Sequence, residues 1–375
     1  MAKVLDLSIF INDLNTTSEV FLRQLFQALG KEFNLELLVY KRGKIQNSTA
    51  YSFAVKYLPK PVSFPFILSL PKLTIKHKTF NLKYLYRIFL LNQACAPRLY
   101  FPFLFMMSEF ESVLPAFHQK RNLRLFSSVR GSDITVNPFV KPGTLEQYSR
   151  LIPYIHKLHF LSEKLKQQFI ELGLSPPPSH VIYQGVNLNR FLQNVPLPKD
   201  KLRMVTVGRF EYIKGIEYLL LACKNLKNKH IDFSCTIIGY GREKEKYLFM
   251  IHDLDLSDVV FIQEKTDHNE LPALLAAHNL YVHPHLVTGL SNSMLESFAI
   301  GLKTLAFYSD FDSYSIPEIQ VYFLEVPRYD VESLANKITE FNINYSIPLE
   351  KRQRLLEKFS LDFQTHAFKQ FFELS

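Results

Sequence analysis

The sequence predicts an α/β protein built from two doubly wound domains. Apolar runs of strand length alternate with helix-type patterns along the chain, which is typical of parallel sheets covered by helices on both faces. At 375 residues the chain is long enough for two domains with full cores. A proline-containing stretch at 194–201 is the best candidate for a linker, so we expect one domain at 1–196 and a second at 197–357.

Apolar periodicity and turn residues place the individual elements. In the N-terminal part, strands are expected at 4–11, 35–40, 123–128 and 180–183, and helices at 18–29 and 145–151. In the C-terminal part, strands are expected at 202–207, 233–238, 259–262, 280–282 and 304–307. Helices are expected there at 215–225, 242–254, 271–277 and 293–300, and the tail at 349–374 has a helical pattern.

The segment 207–215 is a short basic loop between a predicted strand and a predicted helix. Its two cations, Arg209 and Lys214, lie beside Gly208 and Gly215. Arginine offers a planar fork that is always charged and suits phosphate, and lysine adds a compact point charge. This combination predicts a site for a diphosphate.

A second loop, at 283–296, has the composition of an anion site. It follows a predicted strand and opens a helix that is expected to end at Gly301. Backbone N–H groups and the positive end of a helix dipole favour a negatively charged ligand there. The small residues Gly289, Ser291 and Ser293 let a ligand approach the backbone closely.

Glu296 has two alternative roles in this loop. Together with Ser293 it fits the S-x-x-E capping box, in which both side chains satisfy the start of a helix. Its carboxylate could instead accept hydrogen bonds from a pair of sugar hydroxyls.

The nearby His283 and His285 have a spacing that puts both on one face of a strand, but the sequence shows no third metal ligand beside them.

These loops resemble those of the family-4 glycosyltransferases. That family has Gly-Arg and then Lys-Gly after a strand, an Ile-Gly-x-Gly strand end, a proline-containing loop and a Glu-x7-Glu element. The matching residues are Gly208-Arg209, Lys214-Gly215, Ile238-Gly239-Tyr240-Gly241, His283-Pro284-His285 and the segment that ends at Glu296. Further matches extend the resemblance over about 200–340, and the N-terminal half resembles the family more loosely, at 127–133, 161–163 and 185–191.

The resemblance implies the GT-B fold, in which two Rossmann-like domains face a cleft. The C-terminal helix at about 358–375 would complete the N-terminal acceptor domain, and 197–357 would form the donor domain. A retaining transfer of sugar from a nucleotide-sugar to a glycan or lipid-linked acceptor is implied, with no metal or other cofactor. The residues implicated are Arg209, Lys214 and Glu296 as catalytic, and Gly208, Thr288, Gly289, Leu290, Ser291, Asn292, Arg130 and Asp133 as substrate-binding.

Three departures from the family pattern bear on activity. Thr288 stands where the first glutamate of Glu-x7-Glu helps to hold the donor sugar. Arg130 stands where many members have a histidine, and an arginine cannot act as a base. The segment 12–18 replaces a glycine-rich first loop. Asp133, in turn, has a plain alternative role as a turn cap.

Two other functions on the same fold remain as alternatives. A non-catalytic subunit could bind nucleotide-sugar or glycan as a partner, and the replacement of the first glutamate by Thr288 favours this. A nucleotide-sugar epimerase or a sugar phosphorylase would also use such a fold. Epimerisation needs groups that move protons at the sugar, and the sequence shows no distinctive acid–base set.

Positive charge is concentrated in one segment. The chain has a net charge of +9, but residues 41–100 contain eleven Lys and Arg and neither Asp nor Glu. Ten aromatic residues are interleaved with these cations. This mixture suits an anionic membrane surface, so we expect a peripheral position at the inner, cytoplasmic face of a membrane. Nucleic acid, or a solvated basic face above an ordinary core, are the alternatives.

Cysteine usage gives no sign of a metal site, and hydropathy gives no sign of a membrane-spanning segment. Cys95, Cys223 and Cys235 have no metal-type spacing, which is typical of small buried residues in a reducing cytoplasm. No apolar run reaches the roughly 18–20 residues needed to span a bilayer.

Overall fold

The computed structural model describes residues 6–11, 20–39, 53–61, 63–94, 96–118, 124–264, 267–286, 291–308 and 322–373. The chain divides into two compact units. Unit 1 comprises Met1–Gly185 and Leu361–Ser375, and unit 2 comprises Val186–Ser360. Each unit contains a parallel sheet with helices between its strands.

The sheet of unit 1 has seven strands among the described residues. In chain order they are β1 Asp6–Ile11, β2 Asn34–Val39, β3 Ala54–Tyr57, β4 Arg98–Phe101, β5 Arg124–Val129, β6 Lys157–Phe160 and β7 Ser179–Val181. Their spatial order is β3-β2-β1-β4-β5-β6-β7, so the winding direction reverses between β1 and β4.

The helices of unit 1 connect these strands. They are α1 Val20–Glu32, α2 Phe64–His77, α3 Leu82–Leu91, α4 Leu104–Ser108, α5 Leu114–His118, α6 Gly131–Thr135, α7 Asn137–Val140, α8 Thr144–Leu151, α9 Glu163–Glu171 and, at the C-terminal end, α16 Leu361–Glu373. Short 3₁₀ turns add Glu111–Val113 and Ile152–Tyr154.

Unit 2 contains six described strands and six described helices. The strands are β8 Leu202–Val207, β9 Phe233–Ile238, β10 Val260–Gln263, β11 Leu280–His283, β12 Lys303–Tyr308 and β13 Phe323–Pro327. The helices are α10 Ile216–Asn228, α11 Lys244–Asp253, α12 Leu271–Ala276, α13 Asn292–Ile300, α14 Val331–Thr339 and α15 Leu349–Leu356.

The winding of unit 2 places its two predicted anion loops side by side. Its strand order is β10-β9-β8-β11-β12-β13, so the direction reverses between β8 and β11. These two strands pair directly, with Leu280 opposite Met204 and Tyr281 opposite Val205. Ligands of doubly wound sheets bind beyond the carboxyl ends of the strands at such a reversal. The loops after β8 and β11 leave the sheet at this point.

The predicted α/β class with doubly wound parallel sheets is confirmed. The predicted strands at 202–207 and 233–238 coincide with β8 and β9, and the other predicted elements differ from the described ones by a few residues. The structure adds four strands that were not predicted from the sequence, namely β3, β4, β6 and β13, and also helices α2 to α7.

The helical pattern of the tail at 349–374 is divided between two helices, α15 and α16. A 3₁₀ turn at Glu357–Phe359 separates α15 from α16. The N–H of Val186 donates to the carbonyl of Phe359 over 2.8 Å, and Val186 pairs with Ser360 in a β-bridge. This pairing draws the backbone out of the helical path and interrupts the tail.

Helix α16 supplies aromatic side chains to the core of unit 1. Phe368, Phe371 and Phe372 are fully buried. The ring of Phe372 lies 5.2 Å from that of Phe126 and 5.3 Å from that of Tyr100, centroid to centroid. Edge-on contacts at this separation stabilise beyond the burial of apolar area. The sheet of unit 1 therefore depends on the last helix of the described chain.

We expect Phe372→Ala to destabilise unit 1 by about 3–5 kcal/mol, because it leaves a cavity against two fixed rings. Phe363→Ala is the matched control, since Phe363 lies on the same helix but is 45% exposed. Urea unfolding followed by circular dichroism measures both variants. Equal unfolding free energies for the two variants would show that α16 does not complete this core.

Candidate active site

The loop after β8 is fixed by backbone hydrogen bonds to the last residue of β9 and to the loop that follows it. The N–H of Gly208 donates to the carbonyl of Ile238 over 3.0 Å, and the N–H of Phe210 donates to that of Tyr240 over 2.7 Å. The side chain of Phe210 is fully buried in the core of unit 2. The backbone around Arg209 is therefore held from both sides.

Gly215 allows the loop after β8 to touch the loop after β11. Its φ of 58° lies in the left-handed region, and a Cβ there would come within 2.0 Å of the carbonyl oxygen of Pro284. The N–H of Leu286 donates to the carbonyl of Ile213 over 2.9 Å. A side chain at position 215 would push the two loops apart.

The contact between the loops places Lys214 beside a histidine. Its Nζ lies 3.5 Å from Nδ1 of His285. Burial, reinforced by the positive charge of Arg209, lowers the pKa of Lys214 to about 8, although Glu211 opposes the change. An ammonium that has lost much of its hydration gains strongly from an anionic ligand. The geometry thus favours a negative group at this point.

Arg209 has an ion-pair partner that a ligand can replace. Its Nη1 lies 3.0 Å from Oε1 of Glu211, and 44% of the arginine side chain is exposed. Exposed ion pairs contribute roughly 0–1 kcal/mol. A doubly charged diphosphate can therefore displace Glu211 at little cost.

Two histidines with closely spaced rings lie at the end of β11 and just after it. The rings of His283 and His285 have centroids 3.5 Å apart, and burial lowers the pKa of both well below the ordinary value, so both are neutral. Neutral imidazoles are metal ligands in principle. In the part of the chain that the structure describes, no group of three or more His, Cys, Asp or Glu side chains comes together around them or elsewhere.

Helix α13 is capped by Ser291, and the capping-box interpretation of Ser293 and Glu296 is wrong. Oγ of Ser291 accepts a hydrogen bond from the N–H of Met294 over 3.2 Å. The hydroxyl of Ser293 accepts one from the hydroxyl of Tyr281 over 2.8 Å. Because the helix begins at Asn292, one residue before the predicted start, the reciprocal box cannot form.

Of the remaining residues predicted to bind substrate in this loop, two are described by the structure and three are not. Ser291 and Asn292 stand at the start of α13. Thr288, Gly289 and Leu290 lie outside the described residues. The predicted end of the helix is confirmed, since Gly301 is in the left-handed conformation with its N–H bonded to the last turn.

Glu296 is a buried carboxyl group on the first turns of α13. It is 5% exposed, and burial raises its pKa to about 7. Its Oε1 lies 3.5 Å from Nε2 of His268, whose pKa burial lowers. Both shifts favour neutral side chains in the folded protein. A ligand that donates hydroxyl hydrogens to the carboxylate would favour the ionised form instead.

His268 is held in place by the segment that precedes β8. Its ring lies 5.5 Å from that of Phe191, centroid to centroid, and Arg190 hydrogen-bonds the neighbouring Asn269. His268 was not among the residues predicted from the sequence, because it belongs to no motif and meets Glu296 only through the fold. Only its position shortly after the end of a strand could have indicated a role in the site.

In unit 1, Asp133 fastens the loops that follow β4 and β5. It is fully buried, and its two carboxylate oxygens accept hydrogen bonds from the N–H groups of Arg130, over 2.7 Å, and Phe105, over 2.9 Å. Burial raises its pKa to about 6 despite these bonds. Asp133 therefore caps α6, which is the plainer of the two roles considered for it.

Arg130 is packed among the same loops. Only 4% of the residue is exposed, its Nε donates to the carbonyl of Pro102 over 3.0 Å, and its guanidinium carbon lies 5.3 Å from the ring centroid of Phe103. These contacts fix the direction of the side chain. They place a permanent cation at the carboxyl end of the sheet of unit 1.

A chain of buried polar groups lies beneath this cation. The oxygen of Ile182 can only accept, so Nε2 of His159 donates to it over 2.8 Å. Nδ1 of His159 then accepts from the hydroxyl of Ser128 over 2.7 Å, and Ser128 accepts from Tyr100 over 2.5 Å. Burial and the charge of Arg130 lower the pKa of His159 to about 3, so it stays neutral.

The raised pKa of Glu296 predicts a pH-dependent stability. Between about pH 4.5 and 7 the folded protein binds this proton more tightly than the unfolded chain does, so the free energy of unfolding falls as pH rises. Glu296→Gln should remove up to about 3 kcal/mol of this fall. The exposed Glu245→Gln is the control. Identical pH profiles of chemical unfolding for wild type and both variants would contradict a buried carboxyl at position 296.

Comparison with known proteins agrees with this geometry. Residues 189–358 match the family model described as "Glycosyl transferases group 1". This segment spans nearly all of unit 2, including the loops after β8 and β11.

Two relatives carry names from polysaccharide biosynthesis. A Salmonella typhimurium protein, WcaL, provisionally named as a colanic acid biosynthesis glycosyltransferase, is 24% identical over 271 residues, which cover 68% of this chain and 66% of the relative. The Erwinia amylovora amylovoran biosynthesis glycosyltransferase AmsK is 26% identical over 43% of this chain and 41% of its own length. The chain thus spans slightly less than two thirds of the first relative and less of the second.

Solved structures are similar along almost the whole chain. A sucrose-phosphate synthase from Thermosynechococcus elongatus is 17% identical, with 99% of this chain and 100% of that chain covered at a TM-score of 0.73. HepE of Anabaena, in complex with UDP-glucose, is 13% identical, with 98% and 100% covered at 0.72. These likenesses, with the two parallel sheets, confirm the predicted GT-B fold. Residues 189–358 therefore resemble the group 1 glycosyl transferases, and the relatives that match the chain are named as glycosyltransferases.

Proposed function

We propose that this protein is a retaining glycosyltransferase that moves a sugar from a nucleotide-diphosphate sugar to a glycan or lipid-linked acceptor in cell-surface polysaccharide biosynthesis. The observation that carries the proposal is the pair of cations, Arg209 and Lys214, fixed by backbone contacts at the winding reversal of a sheet. The match of residues 189–358 to the family model of group 1 glycosyl transferases supports the transferase chemistry. The names of the relatives support the polysaccharide context.

The proposed donor is a nucleotide-sugar, and its diphosphate is the leaving group. As the bond to the anomeric carbon breaks, positive charge builds on that carbon and negative charge on the departing oxygen. Arg209 and Lys214 would stabilise the negative charge, assisted by the start of α13 at Ser291 and Asn292. Preorganised donors of this type contribute roughly 2.7–4 kcal/mol each in well-studied oxyanion sites. The UDP-glucose complex of the structurally similar HepE supports this class of donor.

Glu296 would hold the ribose hydroxyls of the nucleotide. A buried carboxylate that accepts two hydroxyl hydrogens replaces the hydration it lost in the fold, so ligand binding and ionisation reinforce each other. His268, 3.5 Å away, would keep the carboxyl group oriented for these hydroxyls. Gly208, Thr288, Gly289 and Leu290 complete the proposed donor set.

In unit 1 we propose that Arg130 and Asp133 serve the acceptor. Arg130 cannot take a proton from a hydroxyl, so its contribution is a fixed positive field that attracts an anionic acceptor or the donor phosphates. Asp133 holds the backbone of Arg130 through its cap. We further propose that the protein acts at the cytoplasmic face of a membrane, where a lipid-linked acceptor is presented.

A non-catalytic nucleotide-sugar-binding subunit is the second candidate function. It is favoured by Thr288, which supplies a neutral hydroxyl where the family pattern has a carboxylate. Binding and turnover distinguish the two functions.

Product formation from a panel of UDP-, GDP- and ADP-sugars tests the proposal, with membrane extract as the source of acceptor. Lys214→Ala should lower the release of nucleoside diphosphate about 100-fold, because it removes a desolvated cation from the leaving group. Lys229→Ala, an exposed lysine of the same unit, is the matched control. Tight nucleotide binding by the wild type without turnover of any donor would instead support the binding subunit.

The lowered pKa of Lys214 gives an independent test. Lys214 is cationic only below its pKa of about 8 in the free enzyme, so kcat/KM should fall as pH rises through about 8. Lys214→Arg keeps the charge at all accessible pH values and should move this fall to higher pH, even if its rate is lower. An unchanged basic limb in the arginine variant would mean that another group titrates.

A further inference from the structure

Helix α2 of unit 1 has apolar side chains on two opposite faces. One face is buried by Phe66 and Leu73. The ring of Phe66 lies 5.1 Å from that of Tyr86 and 5.4 Å from that of Phe89, centroid to centroid, so α2 is fastened to α3. This packing accounts for the inner face of the helix only.

The outer face of α2 carries large apolar side chains in solvent. Phe64, Ile67, Leu68 and Ile75 are 73%, 50%, 64% and 77% exposed. Positions 64, 68 and 75, with the exposed Pro71 between them, follow the spacing i, i+4, i+7 and i+11 and form one stripe. On a helical projection this stripe lies opposite the two buried residues and therefore points away from the unit.

The turn after α2 extends the apolar surface. Phe80 and Leu82 are 88% and 60% exposed. We call the surface formed by 64, 67, 68, 71, 75, 80 and 82 the outer apolar face. Contiguous exposed apolar patches of this kind mark interaction sites on monomeric proteins.

The charged side chains that residues 53–94 place around the outer apolar face all have one sign. Lys72, Lys76, Lys78 and Lys83 are exposed beside it, and the described residues at 53–94 include neither Asp nor Glu. Lys72 and Lys76 lie on the flank of the helix, between the exposed stripe and the buried face. This is the arrangement of a helix that lies in the plane of a bilayer surface, with lysines at the level of anionic headgroups.

A second copy of the chain fits this surface less well. In a two-fold dimer the same face meets itself, so the lysines of both copies would be brought together. Lysine is depleted in protein interfaces, and like charges in contact oppose association. An anionic lipid surface supplies the opposite charge.

We propose that the outer apolar face of α2 inserts into the interfacial region of an anionic lipid bilayer and docks unit 1 on the membrane. The 14 residues of α2 span only about 21 Å, less than the hydrocarbon thickness of about 30 Å, so the helix lies in the surface. None of the helices that the structure describes combines the length and the hydropathy of a bilayer-spanning segment. The docking deepens the proposed function, because a lipid-linked acceptor would be presented at the same surface.

Vesicle flotation with the full chain tests this docking. The probes are vesicles of phosphatidylcholine alone and vesicles in which phosphatidylglycerol replaces part of it. We expect wild type to float at least tenfold more with the anionic vesicles. Raising the salt from about 0.1 M to about 0.5 M should weaken the binding without abolishing it, because screening acts on the lysines and leaves the apolar contribution.

Two pairs of variants separate the apolar and the charged contributions. Leu68→Glu with Ile75→Glu should reduce flotation more than tenfold, whereas Leu248→Glu with Phe249→Glu, at exposed apolar positions of α11, should leave it unchanged. Lys72→Gln with Lys76→Gln should remove the preference for anionic vesicles, whereas Lys199→Gln with Lys358→Gln, at exposed lysines of unit 2, should retain it. Circular dichroism verifies that each variant is folded.

The outcomes distinguish this docking from the enzymatic proposal. Flotation requires no turnover. A protein that binds anionic vesicles but transfers no sugar would therefore contradict the enzymatic proposal and leave the docking proposal intact. Wild type that stays unbound, or Leu68→Glu with Ile75→Glu that floats like wild type, overturns the docking. Loss of a dimer in that variant, seen by light scattering without any vesicle binding, would assign the face to a second copy.

Discussion

The contact between two loop backbones at the winding reversal of unit 2 is the constraint on which the site depends. Gly215 lets the carbonyl of Pro284 occupy space that a Cβ would need. Gly239 does the same for the carbonyl of Gly208, which would lie 1.8 Å from a Cβ. The loop after β8 is therefore positioned by main-chain packing, and Lys214 is free to serve a ligand. A cation held in this way needs no reorganisation when charge develops beside it.

Burial sets the protonation of the ionisable groups of the candidate site. Lys214 and Glu296 are both shifted towards their neutral forms by lost hydration, and His285 is kept neutral beside the lysine. A diphosphate next to Lys214 and hydroxyls next to Glu296 would reverse both shifts. The burial of these groups thus carries a desolvation cost that a nucleotide can relieve, and a ligand that binds only the folded state also stabilises the fold.

Local sequence features made part of the fold and of the candidate site predictable from the sequence. The Gly-Arg and Lys-Gly pairs are visible because glycine marks close backbone approach and fixed charge marks an anion site. Helix α2 was missed because Pro65 and Pro71 argue against a helix, yet the first stands in the opening turn and the chain tolerates the second. The start of α13 was misplaced by one residue, since Ser291 and Ser293 can both cap and a bond from Tyr281 decides between them. The contact of His268 with Glu296 exists only in the folded chain.

The central claim is that unit 2 recognises its ligand chiefly through a diphosphate held at the winding reversal. Isothermal titration of the protein with a nucleoside diphosphate and with the matching nucleoside, for each of the common bases, measures this directly. The structure leads us to expect that the diphosphate of the preferred base binds at least about 100-fold more tightly, which corresponds to roughly 2.7 kcal/mol. Equal affinities for the nucleoside and its diphosphate would contradict the claim.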